Sequence, residues 1–244
     1  MHIILKGERH SGYYDESTGK AYISGAAIDI GPGRVIVPGD SVKIRGETFV
    51  ALPADPRFVS DIFERNTQGI QSHDASYMVT ISGTGPDSRV LESGIGSGML
   101  SCHILWRLSG GSLTSVERNP EYIRNARSNV GTIMKTDNWI TLEGDIRSVP
   151  LEGMFDAVFL DMPDPWNALQ NVSSHMRPGS SIVTYLPNYN QVESTVDEMG
   201  RYGISHIETS EIMKRNLMVR KGYTRPDNRM IGHTGFITLG VKIH

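Results

Sequence analysis

Short apolar runs separated by turn residues open the chain. Ile28-Asp29-Ile30 leads into Gly31-Pro32-Gly33, Val35-Ile36-Val37 into Pro38-Gly39-Asp40, and Val42-Lys43-Ile44 into Arg45-Gly46-Glu47. Runs this brief, closed by glycine and proline, predict a small antiparallel barrel or sheet over residues 1–54. Pro53-Ala54-Asp55-Pro56 then punctuates the chain, and the apolar spacing from Asp55 to Glu64 predicts a short helix. Residues 55–75 read as a helical linker, and residues 76–244 as the main domain.

From Ser88 the pattern becomes an alternation of strand and helix. Arg89–Glu92, Ser112–Glu117, Trp139–Leu142, Phe155–Leu160 and Ser181–Leu186 read as strands, the fourth being the most apolar. Helices are predicted from Gly98 to Leu108, after the Asn119-Pro120 cap, from about Asn167 to Met176 with a stop at Arg177-Pro178-Gly179, and from about Gln191 to Tyr202. Repeated βα units imply a parallel sheet with helices on both faces, an α/β fold. Two last strands, near His206–Glu208 and Phe236–Leu239, have no long helix between them and imply a terminal hairpin.

Composition narrows the class. At 244 residues with 38% hydrophobic and 21% charged positions, the chain has enough apolar residues for a packed core. A formal charge of −3 excludes nucleic-acid binding by bulk positive charge, though not by a local patch. A single cysteine, Cys102, excludes an intrachain disulfide and a thiolate zinc site, and no metal is expected. No apolar run approaches a membrane span, and the first residues are charged too soon for a signal peptide. The expectation is a soluble, cytoplasmic protein without a membrane partner.

In open α/β sheets ligands bind beyond the C-terminal ends of the strands. Those ends carry Glu92-Ser93-Gly94-Ile95-Gly96-Ser97-Gly98, then Glu117, Asp145 and Asp161-Met162-Pro163-Asp164-Pro165-Trp166. Glycines let the backbone turn sharply and approach a ligand, and the next helix offers unpaired N–H groups. A nicotinamide cofactor prefers G-x-G-x-x-G, whereas here Met99 holds the third position. Glu92, just before the loop, suits a cationic ligand, and the sulfonium and ammonium of S-adenosylmethionine (SAM) fit. Glu117 is placed to accept both ribose hydroxyls, and Asp145 the adenine amine. Two prolines stiffen the chain after Asp161, which preorganises a catalytic carboxylate beside an aromatic.

Together these motifs resemble the tRNA adenine-58 N1-methyltransferase family over nearly the whole chain. Ile30-Gly31-Pro32-Gly33 is similar to that family's N-terminal module, and Arg65-Asn66-Thr67-Gln68 with Asp74 to its R-x-T-Q…Y-P-K-D segment. Leu160 to Trp166 is similar to its L-D-L-P-x-P-W segment, and Tyr185-Leu186-Pro187-Asn188 to its Y-L-P-N motif. Arg225-Pro226 and Met230 to Phe236 are similar to its R-P…M-x-x-H-T-x-F tail. The resemblance implies a Rossmann-like class I SAM-dependent methyltransferase with a small N-terminal β domain, working as a homotetramer on tRNA. It implies that Glu92, Gly94, Ile95, Gly96, Ser97, Gly98, Glu117, Asp145 and Ile146 hold SAM, that Asp161 is the catalytic carboxylate, and that Tyr185 lines the target-base pocket. Where the family has Y-P-K-D this chain has Gln71-Ser72-His73-Asp74, lacking the tyrosine and the lysine.

For RNA contact, Lys214, Arg215, Arg220, Lys221, Arg225 and Arg229 stand against Asp227 alone between residues 214 and 229. Arg220, Lys221, Arg225 and the adjacent His233 are the candidate substrate contacts. Three other classes share parts of this pattern. A methyltransferase acting on a protein or small molecule needs the glycine loop but not the Asp161 segment. A non-catalytic tRNA-binding partner needs neither, and a nicotinamide oxidoreductase needs different glycine spacing.

Overall fold

The computed structural model describes residues 2–31, 33–64 and 69–244. Pro32 of the Ile30–Gly33 turn and the Arg65-Asn66-Thr67-Gln68 motif lie outside the described residues.

Six strands build the N-terminal sheet: β1 (His2–Lys6), β2 (Ser11–Asp15), β3 (Lys20–Ile23), β4 (Ala26–Asp29), β5 (Ser41–Ile44) and β6 (Glu47–Pro53). Their order is β4-β3-β2-β1-β6-β5, every neighbour antiparallel. Strand alternation sends Val42, Ile44, Phe49 and Ala51 inward to meet Leu5, Tyr14 and Ala21. Ser24-Gly25 and Arg45-Gly46 make the tight turns, all four residues at positive φ, as a primed two-residue hairpin requires. The strand expected at Val35–Val37 is absent. Tyr14 Oη donates to Arg34 O, and Val37 N donates to Asp40 Oδ2. These backbone groups are therefore tied to side chains rather than to a ladder, and only Ile36 is buried.

A 3₁₀ turn over Pro56–Asp61, capped by Asp55, replaces the expected short helix. Helix α1 (Ser72–Ile81) runs straight across residue 75, where the sequence pattern divides linker from main domain. It packs on the second sheet's helical layer. That sheet is formed by β7 (Arg89–Ser93), β8 (Ser112–Glu117), β9 (Trp139–Glu143), β10 (Phe155–Leu160), β11 (Met176–Leu186), β12 (Ile204–Glu211) and β15 (Phe236–Lys242). The connecting helices are α2 (Met99–Arg107), α3 (Pro120–Gly131), α4 (Leu169–Ser173) and α5 (Tyr189–Met199). Strand order is β12-β15-β11-β10-β7-β8-β9, parallel except for β15, which runs antiparallel to both its neighbours. This is the class I methyltransferase architecture.

The predicted helix from Asn167 to Met176 shrinks to α4. Its expected stop, Arg177-Pro178-Gly179, lies inside the span of β11, where the register with β10 shifts between Phe155–Met176 and Ala157–Ser181. The last two strands do pair antiparallel, but residues 212–235 form a long excursion between them. It carries a two-stranded ribbon, β13 (Leu217–Met218) with β14 (Arg225–Pro226).

Strand β10 is covered on both faces. Phe159 faces α1, α2 and α3 with Met78, Ile104 and Val130, while Val158 and Leu160 face α4 and α5 with Leu169, Val172 and Met199. Burial on both faces explains why its sequence is almost continuously apolar. Because Phe159 has no solvent exposure, Phe159→Ala should lower unfolding stability by about 3–5 kcal/mol, read from chemical denaturation midpoints.

Candidate active site

The strand order reverses between β7 and β10, and a crevice opens beyond their C-terminal ends. Asp161 N donates to Ser93 O at 2.9 Å, holding the two strand ends side by side. Gly94 has φ +88°, and a Cβ there would fall on the carbonyl oxygen of Asp161. Only glycine fits this approach. Gly98, at φ +81°, lies against Ala126 and Val130 of α3 and lets α2 start close to that helix.

The crevice has a volume of about 130 Å³ and is walled by Ser93, Gly94, Glu117, Asp145, Ile146 and Asp161, with Arg118, Arg147, Pro163 and Asp164 at its margin. Glu117 Oε2 accepts from Ile95 N at 3.2 Å, and Oε1 accepts from Asn119 N at 2.9 Å. One carboxylate thus pins the glycine loop and the start of α3 while lining the crevice.

Five expected cofactor residues, Glu92, Ile95, Gly96, Ser97 and Gly98, do not line the crevice. Glu92 is fully buried beneath the loop and does not reach the crevice. Ser101 Oγ and Ser115 Oγ donate to it, and Trp139 Nε1 donates in turn to Ser115 Oγ. Burial pushes its carboxyl up to about 7 against those hydrogen bonds. Ile95 belongs to the apolar core, and Ser97 is buried with its carbonyl accepting from Asn129. Gly96, at φ +54°, turns the chain between them. Asp145 does line the crevice, but Arg147 holds it. The guanidinium reaches both carboxylate oxygens, and Arg147 N donates to Oδ1 at 3.0 Å. The same arginine spans to Asp164 at 3.0 Å. These hydrogen bonds drop the Asp145 carboxyl to about 2.

Unlike Asp145, Asp161 has no positive partner among the described residues, and unlike Glu117 its side chain accepts no hydrogen bond from them. Burial, with the charge of Glu117 adding to it, pushes its carboxyl up to about 7. The loop after it is tied down by Gln191 Nε2 donating to Pro163 O at 2.8 Å.

None of the remaining expected residues lines this crevice. Tyr185 is nearly buried, its hydroxyl donating to the buried Asp74 at 3.2 Å and its ring filling the space a side chain at Gly235 would need. Arg220 and Lys221 are exposed on the excursion, and Arg225 donates to Asn228, three residues on. A larger cavity of about 1080 Å³ shares no residue with the crevice. It opens between the 3₁₀ turn, the N-terminus of α1 and the excursion, and is lined by Arg57, His73, Trp106, Lys214, Arg229 and Met230 among others.

Residues 49–234 match the family described as the tRNA methyltransferase complex GCD14 subunit. The chain belongs to that family. It is 30% identical over 215 residues to the tRNA (adenine(58)-N(1))-methyltransferase TrmI of Thermus thermophilus, covering 87% of this chain and 82% of the relative. It is 29% identical over 222 residues to the tRNA (adenine(57)-N(1)/adenine(58)-N(1))-methyltransferase TrmI of Methanocaldococcus jannaschii, covering 80% and 79%. The crystal structure of tRNA (m1A58) methyltransferase TrmI from Aquifex aeolicus superposes with a TM-score of 0.79 at 20% identity, over 100% of this chain and 97% of that one. At that identity it speaks for the fold.

Within the GCD14 family setting, Gln71-Ser72-His73 marks the N-terminus of α1. His73 lines the larger cavity together with Lys214 and Arg229, so cations from the excursion stand beside the position where the lysine is missing.

The two raised carboxyls set a pH dependence. Asp161 and Glu92 titrate near 7 in the fold and near 4 in the unfolded chain, so between those values the fold binds more protons. Stability therefore falls as pH rises from about 4 through 7. Asp161→Asn removes one of these groups. Its denaturation midpoint should exceed that of the wild-type protein at pH 8, and the difference should vanish near pH 4.

Proposed function

We propose that this chain transfers a methyl group from SAM to N1 of adenine 58 in the T-loop of tRNA, with the adenine displaced from its stack into the crevice beside Asp161. The observation that carries this reading is Asp161 itself. It is a partly desolvated carboxylate without a cationic partner among the described residues, held against Gly94 at the sheet's reversal point and facing the same crevice as Glu117.

The crevice fits SAM by charge. Four carboxylates, Glu117, Asp145, Asp161 and Asp164, meet only Arg118 and Arg147, so a net negative field awaits a sulfonium and an ammonium. The same field repels a pyrophosphate, which argues against a nicotinamide cofactor. Retention of both the glycine loop and Asp161 argues against a non-catalytic tRNA-binding partner. Bound SAM supplies an electrophilic methyl group.

The residues do the rest. Adenine N1 carries a free lone pair and needs no base. Asp161 accepts a hydrogen bond from the exocyclic amine, aligns N1, and stabilises the positive charge that develops on the ring. Glu117 is the acceptor for the ribose hydroxyls and keeps the loop in place through Ile95 N. Asp145 reaches the adenine of the cofactor only if Arg147 gives up one oxygen. The T-loop adenine is extruded because its N1 edge is otherwise stacked or paired. Arg220, Lys221 and Arg225 contact phosphate.

Asp161→Asn keeps the shape and an acceptor but loses the charge. It should cost about 100- to 1000-fold in single-turnover methylation of unmodified tRNA at saturating SAM, with the product mapped by nuclease digestion and mass spectrometry. Wild-type turnover in that variant, or a product other than N1-methyladenine at position 58, would overturn the reading. Methylation of protein or metabolites instead of tRNA would favour the alternative substrate class.

Replacing Arg220 and Lys221 together by alanine should weaken tRNA binding and flatten its salt dependence by up to about two units of slope, with SAM affinity unchanged. A filter-binding salt series with the wild-type slope would make this stretch an ordinary solvated loop.

A further inference from the structure

Helix α5 opens with Tyr189, directly after the Tyr185–Asn188 motif, and this residue is 73% exposed. The ring is nevertheless ordered by a partner. It stacks on Phe236 with centroids 4.5 Å apart and planes 30° from parallel. Phe236, the first residue of β15, is buried and held by its strand. His233 packs on that same phenylalanine at 4.7 Å.

The imidazole of His233 faces two acceptors. Nδ1 lies 2.6 Å from Glu211 Oε1, and Nε2 lies 2.8 Å from Pro187 O. A carboxylate and a carbonyl both accept, so these two contacts favour the doubly protonated, cationic ring. The carboxylate first, then the carbonyl, raises its pKa. Pro187, Asn188, Tyr189, Glu211, His233 and Phe236 border an open cavity of about 590 Å³. An aromatic floor with a cation at its rim is a surface for a flat, electron-rich ring.

Its position narrows the ligand. Gln191, in the first turn of α5, donates to Pro163 O in the loop that carries Asp161. Glu211 ends β12 and His233 lies three residues before β15, so their contact closes the base of the basic excursion. The cavity therefore lies at the base of the excursion that carries six basic residues, on the helix that ties down the loop of Asp161. A polyanion with bases attached matches that arrangement; an apolar protein surface does not use the cations.

We propose that Tyr189, backed by Phe236, is a stacking platform for an unpaired nucleobase adjacent to the target adenine in the RNA. The excursion holds the flanking phosphates, and His233 fixes the platform's rim. Stacking tolerates any base, so the platform adds affinity and orientation for the opened loop rather than sequence readout. This inference rests on the tRNA reading above.

The experiment compares Tyr189→Ala, Tyr189→Leu and Tyr189→Trp with the wild-type full chain, all checked for unchanged thermal midpoints. Steady-state methylation of unmodified tRNA at saturating SAM gives KM and kcat, calorimetry gives SAM affinity, and light scattering gives the mass of the assembly. Alanine and leucine should raise KM for tRNA about 5- to 150-fold, more than they lower kcat, with SAM affinity unchanged; tryptophan should restore KM. An alanine variant with wild-type KM overturns the platform, as does a leucine variant as good as tryptophan, which would mean simple apolar burial. A smaller assembly in the alanine variant also overturns it, because Tyr189 would then be a contact between subunits. A wild-type chain inert on tRNA overturns the function proposed above instead. In that case, binding of a short single-stranded RNA to the wild type and the alanine variant decides the platform alone: weaker binding by alanine supports it, and equal binding removes it.

Discussion

The closeness of two backbones, Gly94 at the end of β7 and Asp161 at the end of β10, is the constraint on which the site depends. No side chain fits between them, because a Cβ on Gly94 would occupy the place of the Asp161 carbonyl. That approach brings Asp161 and Glu117 to one crevice with no cation paired to Asp161 among the described residues, and burial pushes both it and the buried Glu92 up to about 7. The fold keeps this unfavourable cluster because β10 is anchored by apolar packing on both faces. Strain and charge at the strand ends are offset by hydrophobic burial in the strand interiors, a common division between site and scaffold.

The parallel sheet was legible because its signals are local. Asn119-Pro120 caps α3 as written, with Asn119 accepting from Glu121 N, and the near-continuous apolar run of β10 is a doubly covered strand. The N-terminal sheet was legible in kind but not in detail. Residues 35–37 form a short apolar run like a strand, yet Asp40 and Tyr14 capture the neighbouring backbone. In Ser11-Gly12-Tyr13-Tyr14-Asp15, half-polar as it is, Tyr14 is completely buried. Such choices depend on partners distant in the chain, which periodicity does not record.

The site was legible as a set of strand ends, less so as a set of contacts. An acidic residue at each strand end is a pattern of position, and Glu117 and Asp161 do face the crevice. Position does not say which way a side chain turns. Glu92 turns under the loop toward Ser101 and Ser115, and Asp145 is bound by an arginine two residues on. Pro163 was marked by the proline pair after Asp161 and Ser93 only by its place in the glycine loop, whereas Arg147 had no more than the Asp-x-Arg spacing as a hint. Tyr189 was hidden as a single aromatic among polar neighbours, its stacking partner 47 residues away.

A net charge of −3 conceals two opposed fields. The crevice gathers carboxylates, and the excursion between β12 and β15 gathers cations, with the Glu211–His233 contact at the boundary. A cationic donor and a polyanionic acceptor drawn to the same end of one sheet each need their own sign of charge, at a separation longer than about 8–10 Å of ionic screening or behind low-dielectric walls. The crevice and the cavities lined by the excursion share no residue. The excursion is inserted beside the antiparallel strand β15, so it leaves the parallel ladder that carries the carboxylates undisturbed. On the proposed reading, arginines of the excursion reaching into the crevice would offset the charge of the Asp161 carboxylate, so keeping the two fields apart serves the chemistry.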